Sequence, residues 1–265
     1  MTTALSRAEL QDQDANGNVS LLIWGALIVG AVSGVLFFAF PQIDIKTSEY
    51  FYKGGGVFAG KGSGIFSGGP PRTIPDVVRL FLYVSFVGVC ILNAIGLMAS
   101  LILKRPVFGL GFLKWLFLAL CLVMGPLIVG NLILKDNWGR ARPVHITEFG
   151  GSKTYTLPLV PSDQCDRNCS FVAGEASMMY AAFFAAAFLF PGRGRRLIAA
   201  GVLVGFFSGL IRLSQGAHFL SDVIFAGVTM ALTVACIYLL FKAIARKVAV
   251  DAQPGPDPLA QWSPW

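Results

Sequence analysis

Charge is what this chain has least of. Only 13% of its 265 residues are Asp, Glu, Lys or Arg, against 55% hydrophobic residues, and the mean hydropathy is +0.68. A water-soluble domain rarely tolerates that balance, so composition excludes an ordinary soluble globule and indicates an integral membrane protein. Histidine is scarcer still, with His145 and His218 the only two. With two imidazoles, and no second cysteine pair to accompany Cys165 and Cys169, a zinc site lacks its ligands. The other three cysteines, Cys90, Cys121 and Cys236, lie inside apolar runs and read as small core residues. No basic stretch precedes the first apolar run and no small-residue cleavage site follows it, which argues against a secretory signal. The net charge is +7, yet the basic residues form no stripe interleaved with aromatics. Nucleic acid is therefore set aside, and an anionic ligand at a membrane explains the cations better.

Apolar sequence is abundant. Six runs, at 20–40, 77–103, 107–133, 175–191, 197–213 and 219–241, approach or exceed the ~17 residues that cross a bilayer as a helix. The expected fold is an all-α membrane protein with six transmembrane helices and both termini on one side. Short Lys/Arg clusters mark that side as cytoplasmic. They are Lys104 and Arg105 after run two, Arg193, Arg195 and Arg196 after run four, and Lys242, Arg246 and Lys247 after run six. Residues 1–19 read as a flexible cytoplasmic tail and 20–247 as the six-helix domain. Residues 248–265, with Pro254, Pro256, Pro258 and Pro264, read as a disordered cytoplasmic tail. The links 41–76 and 134–174 then face outward. In the first, Ile43, Ile45, Tyr50, Phe51 and Tyr52 suit a short helix lying in the membrane interface. Its Gly55–Lys61 stretch nearly matches a phosphate-binding P-loop. However, Gly62 stands where Ser or Thr should follow and no strand precedes it, so it reads as a flexible glycine-rich loop.

Three polar segments fall on the outward face of that topology. Lys135, Arg140 and Arg142 leave run three together. Clustered cations repel unless an anion joins them, and phosphate is the natural partner. A collar of snorkelling Lys and Arg is the bland alternative. Glu175 opens run four, where the helix dipole favours a carboxylate and free N–H groups can hold an anion. It could also be no more than a good first-turn residue. Arg212, His218 and Asp222 lie between runs five and six. Residues four apart share a helix face, so Asp222 would fix the tautomer of His218 and leave its other nitrogen free to attack. A polar cap between two helices is the bland reading. Independent collars and caps need not coincide, so their meeting on one face points to one pocket.

Lys135-x6-Arg142-Pro143 and Arg212-x5-His218-x3-Asp222 resemble, with full spacing, the first and third signatures of the type 2 phosphatidic acid phosphatase (PAP2) superfamily. The resemblance implies a six-span helical bundle and a phosphatase that uses no metal and no cofactor. By position, Lys135, Arg142 and Arg212 would bind the phosphate. His218 would be the nucleophile that becomes a phosphohistidine, and Asp222 would orient it. The second signature departs from the family pattern: Val172-Ala173-Gly174-Glu175 stands in place of Pro-Ser-Gly-His, and in the third Ile211 replaces the usual Ser. Glu175 is then the expected general acid, with His145 the other candidate. The loop with Phe149-Gly150-Gly151 and the Cys165–Cys169 segment is similar to that of bacterial phosphatases acting on lipid A. That implies a multi-pass protein of the bacterial inner (cytoplasmic) membrane, with a membrane lipid as substrate and its site facing the periplasm. In that compartment Cys165 and Cys169 are free to form a disulfide. Phosphatidylglycerophosphate, phosphatidate and polyprenyl diphosphates are alternative substrates. A lapsed enzyme that only binds anionic lipid is an alternative of a different class. A transporter fits less well, because the polar residues cluster at one face.

Overall fold

The computed structural model describes residues 7–60 and 73–251. Among them the regular structure is helical, apart from isolated bridges. Helix α1 (Arg7–Ala39) is followed by the short α2 (Gln42–Glu49), α3 (Ile74–Leu103), α4 (Phe112–Leu122), α5 (Gly174–Leu189), α6 (Gly194–Ser214) and α7 (Leu220–Asp251). α4 runs on into wider π-helical turns over Val123–Lys135. Pro126 lies inside that segment, and its missing N–H removes a main-chain bond that a regular turn would need. Five helices are long and apolar enough to cross a membrane, and α5, with 16 residues, is shorter. At 1.5 Å per residue α5 reaches only about 24 Å. It lies in the middle of the bundle, with Ala176, Ala181, Ala185 and Phe188 buried, so it does not face lipid along its length.

Apolar side chains point outward where a bilayer would meet them. Trp24, Val32 and Val35 on α1 and Phe81, Ile91 and Ile102 on α3 are exposed, as lipid-facing positions should be. Inside, close approach depends on small residues. Gly201, Gly205 and Gly209 form a stripe down one face of α6. An added Cβ would stand 2.7 Å from Phe183 Cβ at the first and 2.5 Å from the Tyr180 ring at the second. At the third it would stand 2.1 Å from Val223 Cγ1 on α7. Small residues at this spacing let helices pack backbone to side chain without a hydrophobic driving force between them.

Several expected boundaries move. The first helix starts at Arg7, so residues 7–19 are helix where a flexible tail was expected. Hydropathy locates only the apolar part of a helix. Here the polar turns find partners: Lys242 donates to Asp12 and Asn16, each at 2.7 Å, and Asp14 accepts from Gly192 N at 2.9 Å. At the other end α7 continues to Asp251, beyond the expected boundary at 247, while residues 252–265 with their four prolines lie outside the described residues. α5, the expected fourth span, ends at Leu189, two residues short of Pro191. Lys61 and Gly62, the end of the near-P-loop, also lie outside the described residues. Its start is tied down: Phe58 is buried against Tyr52 and Phe149, and Gly60 N donates to Ser214 O at 2.8 Å. The expected short helix is present as α2, but it ends before Tyr50, Phe51 and Tyr52, its buried residues are Asp44 and Ser48, and Tyr50 is exposed.

Candidate active site

The α6–α7 turn places His218. Gly216 makes the turn with φ +68°, and a side chain there would strike the Phe58 ring. His218 is 2% exposed, and its Nδ1 lies 2.7 Å from the main-chain oxygen of Ser170. A carbonyl has no proton to give, so Nδ1 carries the hydrogen and Nε2 keeps its lone pair. Burial, reinforced by the charges of Lys135 and Arg142 against the opposing pull of Asp222, holds the imidazole pKa down to about 3. The ring is therefore neutral at ordinary pH.

Asp222 is a neighbour of His218, as its spacing predicts, but the nearest approach to Nδ1 is 3.9 Å. That is too long for a hydrogen bond. The direct Asp222–His218 bond expected from the motif is thus replaced by one to Ser170. Asp222 occupies the third position of α7 and reaches back to accept from Phe219 N at 2.8 Å, the return bond of a capping box. Its Oδ2 also accepts from Ser170 Oγ at 2.5 Å, and Oδ1 accepts from Arg140.

The expected phosphate ligands converge. Lys135, at the end of the π-helical segment, lies within electrostatic reach of Arg142, Arg212, Glu175 and Asp222. It leans over the start of α5, where a Cβ on Gly174 would sit 3.1 Å from its Nζ. The Arg142 fork is held by Asn168, with bonds of 2.7 and 3.2 Å to its carbonyl and 2.9 Å to its side chain. Arg212 donates to Gln215 at 2.5 Å and stands 3.7 Å from Glu175. His145 is on the single turn Pro143–His145 and is exposed, whereas Lys135, Arg142, Arg212 and Glu175 are half-buried.

Glu175 meets a partner that the motifs did not reveal. Arg79 of α3 grips its carboxylate with Nε at 2.9 and 3.0 Å and a terminal nitrogen at 2.6 Å. A carboxylate in such a fork, with a second arginine beside it, is ionised and holds no proton to donate. Arg79 is a cation inside an apolar run, and that alone marks it as a functional candidate. The position of the family's second-signature serine is filled by Ala173, whose N–H bonds Asp222 O at 3.2 Å.

The segment before α5 is laced to both signatures. Cys165 and Cys169 are joined in a disulfide. Asn168 N donates to Asp136, Cys169 N to Lys135 O and Ser170 N to Arg140 O, at 2.9 to 3.1 Å. Trp138 stacks on Phe171 at 4.8 Å. Among the described residues no three His, Cys, Asp or Glu side chains come together as a metal set.

A buried imidazole held by a main-chain oxygen, within electrostatic reach of Lys135 and Arg142, is an arrangement suited to phosphate chemistry. The comparisons name the class. Residues 114–247 match the PAP2 superfamily model, about half of the chain. The chain belongs to that superfamily and is a membrane lipid phosphatase. It is 36% identical over 217 residues to a protein named lipid A 4'-phosphatase from Francisella tularensis subsp. novicida, covering 81% of this chain and 93% of that one. It is 33% identical over 209 residues to one of the same name from Rhizobium leguminosarum, covering 76% and 86% of the two chains. A third, from Rhizobium etli, is 33% identical over 205 residues. No solved structure matches.

Proposed function

We propose that this protein removes the 4'-phosphate of lipid A or a lipid A precursor, through a phosphohistidine on His218. The carrying observation is the buried imidazole, held through Nδ1 and within electrostatic reach of Lys135 and Arg142, with Arg212 beside Lys135. The names of three relatives favour lipid A over phosphatidylglycerophosphate, phosphatidate or a polyprenyl diphosphate.

The cations take up the phosphate and spread its charge, which is the largest part of phosphoryl-transfer catalysis. Nε2 attacks phosphorus as the bond to the sugar oxygen breaks. The N–P bond forms, the leaving oxygen takes a proton, and water later cleaves the N–P bond to release phosphate. In the resting site Arg79 and Arg212 hold Glu175 ionised. An incoming phosphate competes for both arginines. Once they turn to it, the Glu175 carboxyl takes up a proton from solvent and passes it to the leaving oxygen. Three or four cations neutralise the phosphoryl group without a divalent ion.

α5 counts as the sixth crossing when it is shielded by its neighbours, which puts both termini on one side. The Lys/Arg clusters make that side cytoplasmic and turn the site toward the periplasm of the inner membrane. There the disulfide is compatible with its surroundings. The test is phosphate release from lipid A by purified protein in detergent, with the product's remaining phosphate located by tandem mass spectrometry. Loss of the other phosphate would change the position, and release from phosphatidate or phosphatidylglycerophosphate alone would change the substrate. No release from any of them would leave a protein that only binds anionic lipid.

A further inference from the structure

Arg140 lies two residues before the arginine of the first signature and has no role in the mechanism above. It is 0% exposed and touches no space a substrate could enter. Each of its three guanidinium nitrogens donates, four hydrogen bonds in all. Nε donates to Thr156 O at 2.9 Å, one terminal nitrogen to Ser221 Oγ at 2.8 Å and to Asp222, and the other to Asp44 Oδ2 at 2.8 Å. The Phe219 ring covers it at 4.4 Å. Asp44, from the short helix α2, also accepts from Ser221 N at 2.9 Å and Ser221 Oγ at 2.5 Å. A cation this deep needs carboxylates beside it, and here there are two. Burial works against its charge, but Asp222 and Asp44 outweigh that and raise its pKa above the usual guanidinium value.

We propose that Arg140, clamped between Asp44 and Asp222, is a positioning residue for the nucleophile, acting through Asp222 on Ser170 and through the Ser170 carbonyl on His218. The inference rests on the reading of His218 as nucleophile. Its logic is geometric. Asp222 cannot turn, because Oδ1 is occupied by Arg140 and Oδ2 by Ser170 Oγ and Phe219 N. Ser170 is then held from both ends, by its hydroxyl on Asp222 and by its N–H on Arg140 O at 2.9 Å. Its carbonyl is thereby aimed at Nδ1, which sets both the tautomer and the direction of the Nε2 lone pair. A helix from the first long link thus helps to aim a side chain 174 positions further on (218 − 44).

The test uses the full-length protein in detergent with ¹⁵N-labelled histidine. It holds only two histidines, and His145→Ala tells their signals apart. In the wild type, His218 should show the Nδ1–H tautomer alone. Ser170→Ala, Asp44→Asn and Arg140→Lys should each give mixed tautomers. With lipid A, kcat should fall roughly 10–100-fold with KM within about 2-fold, the scale of a misaimed catalytic group. A merely structural role would lower the melting temperature and leave the tautomer as it was. If Arg140→Lys does not fold, Ser170→Ala and Asp44→Asn decide the matter, since each removes polar contacts with little change of shape. Folded variants with unchanged tautomer and kcat overturn the clamp. If wild-type protein released no phosphate while the variants still shifted the His218 tautomer, the clamp would stand and the phosphatase reading would fall.

Discussion

His218 and Glu175 face the same site but are held in opposite ways. His218 is 2% exposed, neutral, and fixed by a main-chain carbonyl that buried groups hold in turn. Glu175 keeps 20% of its side chain exposed and is held by other charged side chains, Arg79 and Arg212. The difference fits what each half would do in the proposed mechanism. A nucleophile needs one tautomer and one direction throughout, which a rigid polar network supplies. In the proposed mechanism the leaving-group half releases its partners when a phosphate arrives, because the phosphate oxygens replace the carboxylate contacts that the arginines give up. The family signatures keep His218 and Asp222 on the rigid side, where only Ile211 departs from the pattern, and lose the serine and histidine on the exchangeable side, at Ala173 and Glu175.

The comparison breaks most sharply at the nucleophile. His218→Ala should abolish phosphate release, and His218→Gln should fold yet stay inactive, with losses of at least ~10³-fold. Retention of more than about a tenth of wild-type turnover in either variant would show that another group attacks. On the exchangeable side, Glu175→Gln should cut hydrolysis of an alkyl phosphate by ~10²-fold or more, the usual contribution of a placed acid. It should hurt far less on para-nitrophenyl phosphate, whose leaving group is a stable anion. Equal losses on both substrates would reduce Glu175 to an organiser of Arg79 and Arg212.

A pH experiment sharpens the contrast from the other direction. Diethyl pyrocarbonate acylates only neutral imidazole, so an ordinary histidine with pKa near 6.5 loses ~30-fold in rate between about pH 8 and about pH 5. His218, held down to about 3, stays neutral across that window, so its labelling should not slow. A midpoint near 6.5 in labelling of the His218 peptide would show that the imidazole is not desolvated. The smallest effects are expected outside both halves. His145→Ala should change kcat by less than about 2-fold, because it is an exposed histidine on a turn. A severe loss with the leaving-group dependence described for Glu175 would move the acid to His145. Chelation with EDTA should leave activity unchanged, and loss restored by Mg²⁺ or Zn²⁺ would overturn a clamp made of side-chain cations alone.

The parts of the site that could be read directly were those written as short spacings. Lys135 to Pro143 and Arg212 to Asp222 are each contained in about three turns of helix or less, so their residue types alone announce a shared task. Asp44 and Arg79 have no such context. Both lie before residue 114, outside the stretch that matches the family model. The available hint for Arg79 was its charge inside an apolar run, and for Asp44 its place among the apolar residues of a short amphipathic segment. The spacing places Asp222 beside His218, at 3.9 Å, while the imidazole hydrogen goes to Ser170 O. An i, i+4 spacing specifies adjacency, not which acceptor wins the imidazole hydrogen.

By itself the sequence determined the membrane class, the centres of the apolar helices, the phosphatase signatures and the cations that gather at one end. All of these follow from local composition or from spacings within a turn or two. The tertiary structure alone decided the helix ends, because polar turns such as Asp12–Asn18 become helical only when α5, α7 and the α5–α6 turn supply partners. It also decided the site's wiring. Arg79 reaches Glu175 and Asp44 reaches Arg140 across 96 residues each, and Ser170 reaches His218 across 48. Contacts at such separations have no period and no motif. They exist because packing brings distant segments into one low-dielectric space, where each buried charge or imidazole must find its partner.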